Sequence, residues 1–591
     1  VASATDASNL VLLKTAEKIS LTSDDSSAEI TVGGEAYTVE LVSSSDTAAT
    51  VKVTDSEGNT ETKEVNENAS KKILGVTIAV TNADETNLKL SASIIAGAEK
   101  VTLSSTAGST VKMGENDNTV DGTSVSMTGD TGATTKIVFG VYAPDSDKDA
   151  ILPGQSFVDP VFGTFKLDFS SLNIASDDMN KREDITISPS GDDKIEVNFM
   201  PGYAKEAKSV VWAKNLSSGI NLQYDDDSHN ITVVEGVQTF RSGYIVVGNE
   251  ESGRLVKVNT ISNDSSITNY GADKVTFTDV FTTDTYESTI TAEGAATVLI
   301  GGKSYALTYG GTGSTDTNWV RLNYPDSSGA NSMILYPTMK TSKGSKLFLY
   351  QTTVLNLSSW DGGANGGAGG VNNAITQLKF PDGDGYTDVA VASGGGGAGA
   401  ANFTFGSGLV NTTAAAGVSS TTVSIGKLTY NISSNGVVNH TRVHLMDPQL
   451  NGVAITTPAL VIFEEKDDNS NYEAMIVTLD SGASSSNGLD VSDVIRTWGL
   501  DTVNDQISVP GNSNLAMEGD LWGSIISRDS GSSGHTEATI SYPDEQIFSM
   551  LYMAEESAAI TGGSTGSSGG AANVVAISDA EVSSVAGKDL V

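Results

Sequence analysis

The stretch Ile30-Thr31-Val32-Gly33-Gly34-Glu35-Ala36-Tyr37-Thr38-Val39 returns later in the chain as Val298-Leu299-Ile300-Gly301-Gly302-Lys303-Ser304-Tyr305-Ala306-Leu307. Both copies alternate apolar and polar residues on either side of a Gly-Gly pair. Alternation of period two puts every second side chain on one face of a strand, and paired glycines supply the positive φ of a two-residue hairpin turn. Each copy leads into a further apolar alternation that reaches Asp-Ser-x-Gly, at 55–58 and, after a short insertion, at 326–329. A chain that reuses a β-module is built by repetition, and repeated β-modules make surfaces more often than active sites.

The 591 residues are enough for about four domains, each able to bury a core. Lys and Arg number 34 against 73 Asp and Glu, a net charge of −39 that opposes binding to a phosphate backbone or an anionic bilayer. The same sign suits divalent cations. Charged residues are only 18% of the chain, too few for a disordered acidic tail; Ser, Thr, Asn and 62 Gly, the material of strands and turns, take their place. There is no cysteine, which fits a prokaryotic surface protein that relies on packing, ions or assembly rather than disulfides. The sequence begins Val1-Ala2-Ser3 without Met, as a processed chain or a fragment does, and no stretch approaches the roughly 18 apolar residues of a membrane-spanning helix. Any membrane attachment is therefore expected to be indirect, or to come from material not present in this chain.

β signals dominate: residues 29–43, 49–65 and 72–81 read as about five strands, with a turn at Asp55-Ser56-Glu57-Gly58-Asn59. Between Leu489 and Leu500, Val491, Val494, Ile495 and Trp498 recur at helical spacing, so a short helix is expected there. Tyr542-Pro543-Asp544-Glu545 followed by Ile547, Leu551 and Met553 reads as strand. The expected fold is mainly β: several β-sandwich, immunoglobulin-like modules in series, few helices, and a small C-terminal α/β segment.

The modules are placed at 1–190, 191–355 (with the repeated hairpin) and 356–560, followed by a linker at 561–572 and the terminal segment at 573–591. The first boundary rests on the Pro-Ser-Gly-Asp-Asp punctuation within 187–195. Residues 145–153 read as a loop. The Gly/Ala runs at 362–370 and 394–399 read as exposed loops flanking a strand-bearing stretch at 374–392. In the terminal segment, Val574-Val575-Ala576-Ile577 reads as a strand and Ser578-Asp579-Ala580-Glu581 as a capping box, with Lys588-Asp589-Leu590-Val591 starting another strand. Such a β-α-β unit, cut in its third element, implies further chain or a partner that completes the pairing.

Asp382-Gly383-Asp384-Gly385-Tyr386-Thr387-Asp388 places carboxylates at alternate positions around glycines, which suits oxygen ligation of Ca²⁺. It lacks the bidentate Glu of a full EF-hand loop, and Asp and Gly also make ordinary turns. Asp145, Asp147 and Asp149 repeat the spacing with Lys148 between them. Asp225-Asp226-Asp227, and Glu464-Glu465 with Asp467-Asp468, read as solvated acidic clusters. Of the four His, His440 and His444 share a strand-like stretch, where they would stand roughly 13 Å apart, too far to clasp one ion. Gly562-Gly563-Ser564-Thr565-Gly566 matches the nucleophile elbow without a strand leading into it, and the glycine run at 394–399 matches a dinucleotide fingerprint only through its composition. No catalytic residue is assigned and no enzyme activity is expected. Glycosylation sequons stand at Asn68, Asn215, Asn230, Asn263, Asn356, Asn402, Asn411, Asn431 and Asn439, the last four crowded beside the Gly/Ala runs.

Four stretches resemble archaeal S-layer proteins of methanococcal and small-genome lineages. They are residues 30–41 with the Gly-Gly hairpin; 49–80 with Asp-Ser-Glu-Gly-Asn; Leu152-Pro153-Gly154-Gln155-Ser156 through Asp159-Pro160-Val161-Phe162-Gly163-Thr164-Phe165-Lys166; and 540–554. The likeness spans both ends and leaves about 356–451 unassigned; its motifs are β patterns rather than catalytic signatures. The terminal segment, 574–591, resembles the family's α/β portion. The resemblance implies a secreted, usually glycosylated protein at the extracellular cell surface, whose copies assemble with one another into a two-dimensional coat. Ca²⁺ is expected to bridge carboxylates between copies. The alternative is a surface adhesin or extracellular filament subunit built of similar modules, whose copies meet by edge-strand donation. An extracellular hydrolase with β-sandwich accessory domains would need converging carboxylates in a cleft.

Overall fold

The computed structural model describes residues 2–555 except 7–8, 15, 33, 87–88, 98–99, 115, 131–132, 145–149, 225–228, 264–269, 312–316, 326–330, 358–374, 395–400, 466–471, 482–487, 499–506 and 532–534. It is nearly all β, with 63% of the described residues in strands and 1% in helix, arranged in many small sheets. The expected linker at 561–572 and α/β segment at 573–591 lie outside the described residues.

The alternation read from the sequence is what the strands bury. In Ala48–Asp55, Ala49, Val51 and Val53 are fully enclosed while Thr50 and Lys52 between them reach the surface. The strand belongs to a meander of Ser27–Val32, Glu35–Ser44, Ala48–Asp55 and Thr60–Asn66. A second sheet, in the order Glu17–Thr22, Lys89–Gly97, Val76–Thr86, Ala69–Ile73, packs onto it. Ile30, Val39, Val51, Val53, Ile78 and Ile94 fill the space between. A burial pattern of this kind is what one solvated and one enclosed sheet face require.

The chain divides into two compact units. One comprises the residues up to Asn173 together with those from Ser549, and the other is Ile174–Phe548. The first unit thus takes strands from both ends of the chain: Phe165–Leu172 pairs antiparallel with Gln155–Val158 on one side and Ser549–Glu555 on the other. The punctuation at 187–195 is a hairpin turn, with Pro189 opposite Ile195 and the Ser190 N–H donating to the Lys194 carbonyl at 2.8 Å. Turn residues serve hairpins and module boundaries alike, so composition does not separate the two. The boundary at 355/356 likewise falls inside a strand, Thr353–Asn356, paired with His440–Leu445.

In the second unit one sheet is covered on both faces. Its strands are Met339–Lys340, Lys346–Tyr350, Ala459–Phe463, Ala474–Asp480 and Asp490–Arg496. Every residue of Lys346–Tyr350 and Ala459–Phe463 is buried. Leu347, Leu349, Leu460, Ile462, Met475 and Val477 share one face by register. Val494 and Arg496 extend that face, and Arg496 pairs with Glu518 at 3.4 Å on Asn512–Gly519, a strand of an eight-stranded sheet. On the other face, Phe348 stacks with Tyr336 and lies 5.6 Å from Phe463, while the Leu445 N–H donates to the Tyr350 hydroxyl at 2.8 Å. Continuous apolar runs such as Leu460-Val461-Ile462-Phe463 are the signature of a strand with no solvent face.

The helix expected between Leu489 and Leu500 is a strand, Asp490–Arg496. Thr478 faces Asp493 while the next residue, Leu479, faces Val491, so Ser492 is an inserted bulge residue. A bulge adds one residue to a period of two. Val491 and Val494, both buried, therefore stand three apart as they would on a helix. The strand reading of 542–553 holds at its ends, in Glu537–Pro543 and Ser549–Glu555, while residues 544–548 between them, with Asp544, Glu545 and Ile547, are not strand.

The repeated segment folds the same way twice. Val32 pairs with Glu35 across the first Gly-Gly turn and Ile300 with Lys303 across the second, and each hairpin passes to a third antiparallel strand. Gly301 has φ +56°, and a Cβ there would lie 2.9 Å from the Ser252 carbonyl oxygen; Gly302 has φ +79° and open space around it. Gly302→Asn is therefore expected to leave stability nearly unchanged, because Asn tolerates the left-handed region. Gly301→Val should lower it by roughly 2 kcal/mol or more through clash and strain. The two urea midpoints measure the difference.

Candidate functional site

Asp382 opens the turn between Gln377–Pro381 and Tyr386–Ser393. Its Oδ1 accepts the Asp384 N–H at 3.0 Å and its Oδ2 accepts the Thr387 hydroxyl, while its own N–H donates to the Gly385 carbonyl at 3.1 Å. Asp384 is exposed. Asp388 stands on the following strand, where its carboxylate receives Lys379 Nζ at 2.8 Å. The alternate carboxylates thus form an Asx turn followed by a cross-strand ion pair, and Asp388 is drawn to a cation of the chain itself. Asp145, Asp147 and Asp149 lie outside the described residues, as do Asp225, Asp226 and Asp227. Among the described residues no three His, Cys, Asp or Glu side chains converge.

His440 and His444 lie on the strand His440–Leu445, as the alternation implied. His440 Nδ1 is 2.8 Å from the Val438 carbonyl and His444 Nδ1 is 3.3 Å from the Thr352 hydroxyl. Each ring thus has a local partner. Partial burial pushes the His444 imidazole below its usual range.

The sequons differ in access. Asn68, Asn230, Asn402 and Asn411 are exposed or partly so at the surface, and Asn215, Asn263, Asn356 and Asn431 are half-buried. Asn439 is buried, at φ +65° in a tight turn, with its N–H on the Thr412 hydroxyl at 3.1 Å. Asn411 Oδ1 accepts both the N–H and the hydroxyl of Thr413, the sequon threonine, at 3.1 and 2.8 Å. Asn230 lines a cleft of about 400 Å³ together with Phe240, Arg241 and Gln351.

The buried charges are held by the protein itself. Arg182 donates to the carbonyls of Ala175, Ser541 and Gly523 at 3.1, 3.0 and 3.0 Å. Glu235, with no exposed surface, accepts the N–H groups of Tyr324 and Ile334 at 2.8 and 2.9 Å. Glu183 receives the hydroxyls of Thr341 and Ser342 and the Lys343 N–H. Asp279 accepts from Tyr203, whose ring carries the Arg254 guanidinium 3.3 Å from its centroid. Each is a charge taken out of water and repaid by hydrogen bonds, which is what burial of an ion demands.

Sequence reasoning missed one acidic pair. Glu464, read as part of a solvated cluster, is 3% exposed at the end of Ala459–Phe463. Its Oε2 accepts the Glu473 N–H at 3.3 Å and its Oε1 has no donor. Asp520 takes the N–H groups of Gly523 and Ser524 onto Oδ1 at 2.6 and 2.7 Å, leaving its buried Oδ2 without a donor. Burial, then the hydrogen bond and charge of Asp520, push the Glu464 carboxyl up to about 10. A carboxyl raised in this way keeps its proton at neutral pH, and the two oxygens left without a donor, Glu464 Oε1 and Asp520 Oδ2, are the pair that one shared proton would join. The only advance signal was the apolar run ending directly at Glu464, which carries its strand into the core.

No protein-family model matches the chain, and no curated protein matches it.

A carboxyl raised in the folded state binds a proton that the unfolded chain releases near its ordinary value of 4.5. Its contribution to stability is complete below that pH, declines as pH rises, and is gone once the folded group titrates near 10. Glu464→Gln, which keeps a donor for Asp520, should flatten the fall in melting temperature between pH 5 and 9 (roughly the window of that shift) and melt higher than the parent at the alkaline end. Glu464→Ala should melt lower than Glu464→Gln. A Glu464→Gln variant with the parental pH slope would show that the pair does not share a proton.

Proposed function

We propose that this chain is a structural subunit of a two-dimensional cell-surface lattice, an extracellular coat protein of the archaeal S-layer type, and that it has no enzymatic role. The observation that carries the reading is the build of the molecule: a nearly all-β chain of many small sheets that reuses one hairpin meander. The resemblance read from residues 30–41, 49–80, 152–166 and 540–554 supports it. Two of those stretches meet in one sheet, through Phe165–Leu172 and Ser549–Glu555. The bonds made by Arg182, Glu183, Glu235 and Asp279 give these buried charges structural work within the fold.

In this reading a lattice of copies each carrying −39 must offset a large repulsion. Divalent cations, Ca²⁺ in particular, bridge surface carboxylates between neighbours, and contacts of modest strength repeated many times hold the sheet. The sequons Asn68, Asn230, Asn402 and Asn411 are the best placed to carry glycans. A filament or adhesin subunit is the second reading, favoured by the strand Ser549–Glu555, whose outer edge has no pairing strand among the described residues and could pair with another chain along one axis.

Electron microscopy of the purified protein separates the two as planar arrays or fibres. Arrays are expected to dissolve in strong chelator and return with Ca²⁺; recovery with monovalent salt alone would mean simple screening, not bridging. Intact mass of protein from its native source should exceed the sequence mass, with peptide mapping placing the excess on the accessible sequons and none on Asn439.

A further inference from the structure

The sheet formed by Gln155–Val158, Phe165–Leu172 and Ser549–Glu555 has one apolar face that the described residues cover only in part. Phe165, Leu167 and Phe169 alternate along the middle strand. By register Phe157 lies beside Leu167 on one side, and Met553 and Leu551 lie beside Leu167 and Phe169 on the other. The middle-strand residues and Phe157 are half-buried, while Leu551 is 52% and Met553 67% exposed. Together with Val141, the last residue of the strand Ala133–Val141, and Tyr142 after it, Phe157, Phe165, Leu167 and Met553 line an open hollow of about 300 Å³. On the opposite face Asp168 is buried against Ser156 and Lys166, beside Tyr552 and the exposed Val158.

We propose that this face is a contact between copies of the chain, in which the Leu551–Met553 surface of one molecule is covered by a second. The proposal rests on the lattice reading and names the patch through which it acts. Charge selects the occupant. Two molecules of net charge −39 repel over most of their surface, and here, among the described residues of the sheet, the six apolar side chains are bordered in register by Gln155 and, at the end of the strand, Glu555. Copies can meet at such a face without setting carboxylate against carboxylate, whereas an anionic bilayer or nucleic acid gains nothing from an uncharged surface on so acidic a protein.

Size agrees with that occupant. Three strands about 4.8 Å apart, with about five residues each at about 3.4 Å, present on the order of 250 Å². A stable pair in dilute solution buries about 800 Å² on each partner. A patch of this size gives a weak contact that holds only when repeated in an array.

The chain has no cysteine, so Met553→Cys introduces a single thiol at the centre of the patch. Its labelling by a bulky maleimide is measured on the full chain, dispersed in chelator and after assembly in Ca²⁺, with Val418→Cys, at a 75% exposed position of the other unit, as the reference. Expected is rapid labelling of both thiols when dispersed, and at least tenfold protection of Cys at 553 alone on assembly. The double variant Leu551→Asp, Met553→Asp should keep the parental melting temperature, since both sites are exposed, and fail to assemble. Arrays in which Cys at 553 stays reactive, or which the double aspartate variant still forms, would overturn the patch while leaving the lattice reading intact. Protection already present in the dispersed chain would overturn it too, assigning the face to the chain's own residues after Glu555. Protection in concentration-dependent dimers without arrays would support the patch and sink the lattice, and a chain that never associates would sink both.

Discussion

The larger unit depends on a sheet that has lost both its solvent faces. Lys346–Tyr350, Ala459–Phe463 and Ala474–Asp480 carry apolar side chains in both directions, so their removal from water is gained twice along the same backbone. Fully burying one such side chain stabilises by about 1.5–3 kcal/mol. The aromatic group of Tyr336, Phe348, Tyr350 and Tyr430 lies on one side of that sheet, and the apolar seam of Leu347, Leu349, Leu460 and Ile462 on the other. Layers on the two sides of this sheet thereby share one core, while Val256, Phe277 and Tyr305 belong to a second cluster of the same unit.

That depth of burial explains the treatment of charge. An ion inside such a core must be bound fully or neutralised. Arg182 is bound by three carbonyls and Glu235 by two backbone N–H groups. Glu464 takes the other route and keeps its proton beside Asp520. At the surface the opposite regime holds: the acidic excess is solvated, and a net charge of −39 opposes the close approach of copies.

Much of the fold was legible in the chain. The Gly-Gly hairpins, the alternation of Ala48–Asp55 and the strand nature of His440–Leu445 are local patterns, and local patterns report local geometry. The bulge at Ser492 was not legible, because inserting one residue into a strand reproduces the spacing of a helix. The candidate sites were less so. The acidic turn at Asp382 has the composition of both a ligand loop and an Asx turn, and only the position of Lys379 across the strand pair shows where the Asp388 carboxylate goes. Asn439 has the same kind of sequon as Asn411, yet one is buried and the other exposed.

What the sequence determined by itself was the kind of element, the two-residue turns and the long-range electrostatics, since alternation, glycine pairs and net charge act over a few residues or over the whole molecule at once. Only the tertiary structure decided which strands meet: that Phe165–Leu172 waits for Ser549–Glu555 from the far end of the chain, that the sheet through Ala459–Phe463 is enclosed on both sides, and that Glu464 faces Asp520. Strand pairing is a contact between distant segments whose hydrogen-bonding groups are identical everywhere along the backbone, so a strand's own residues do not name its partner; the packing of the whole core does.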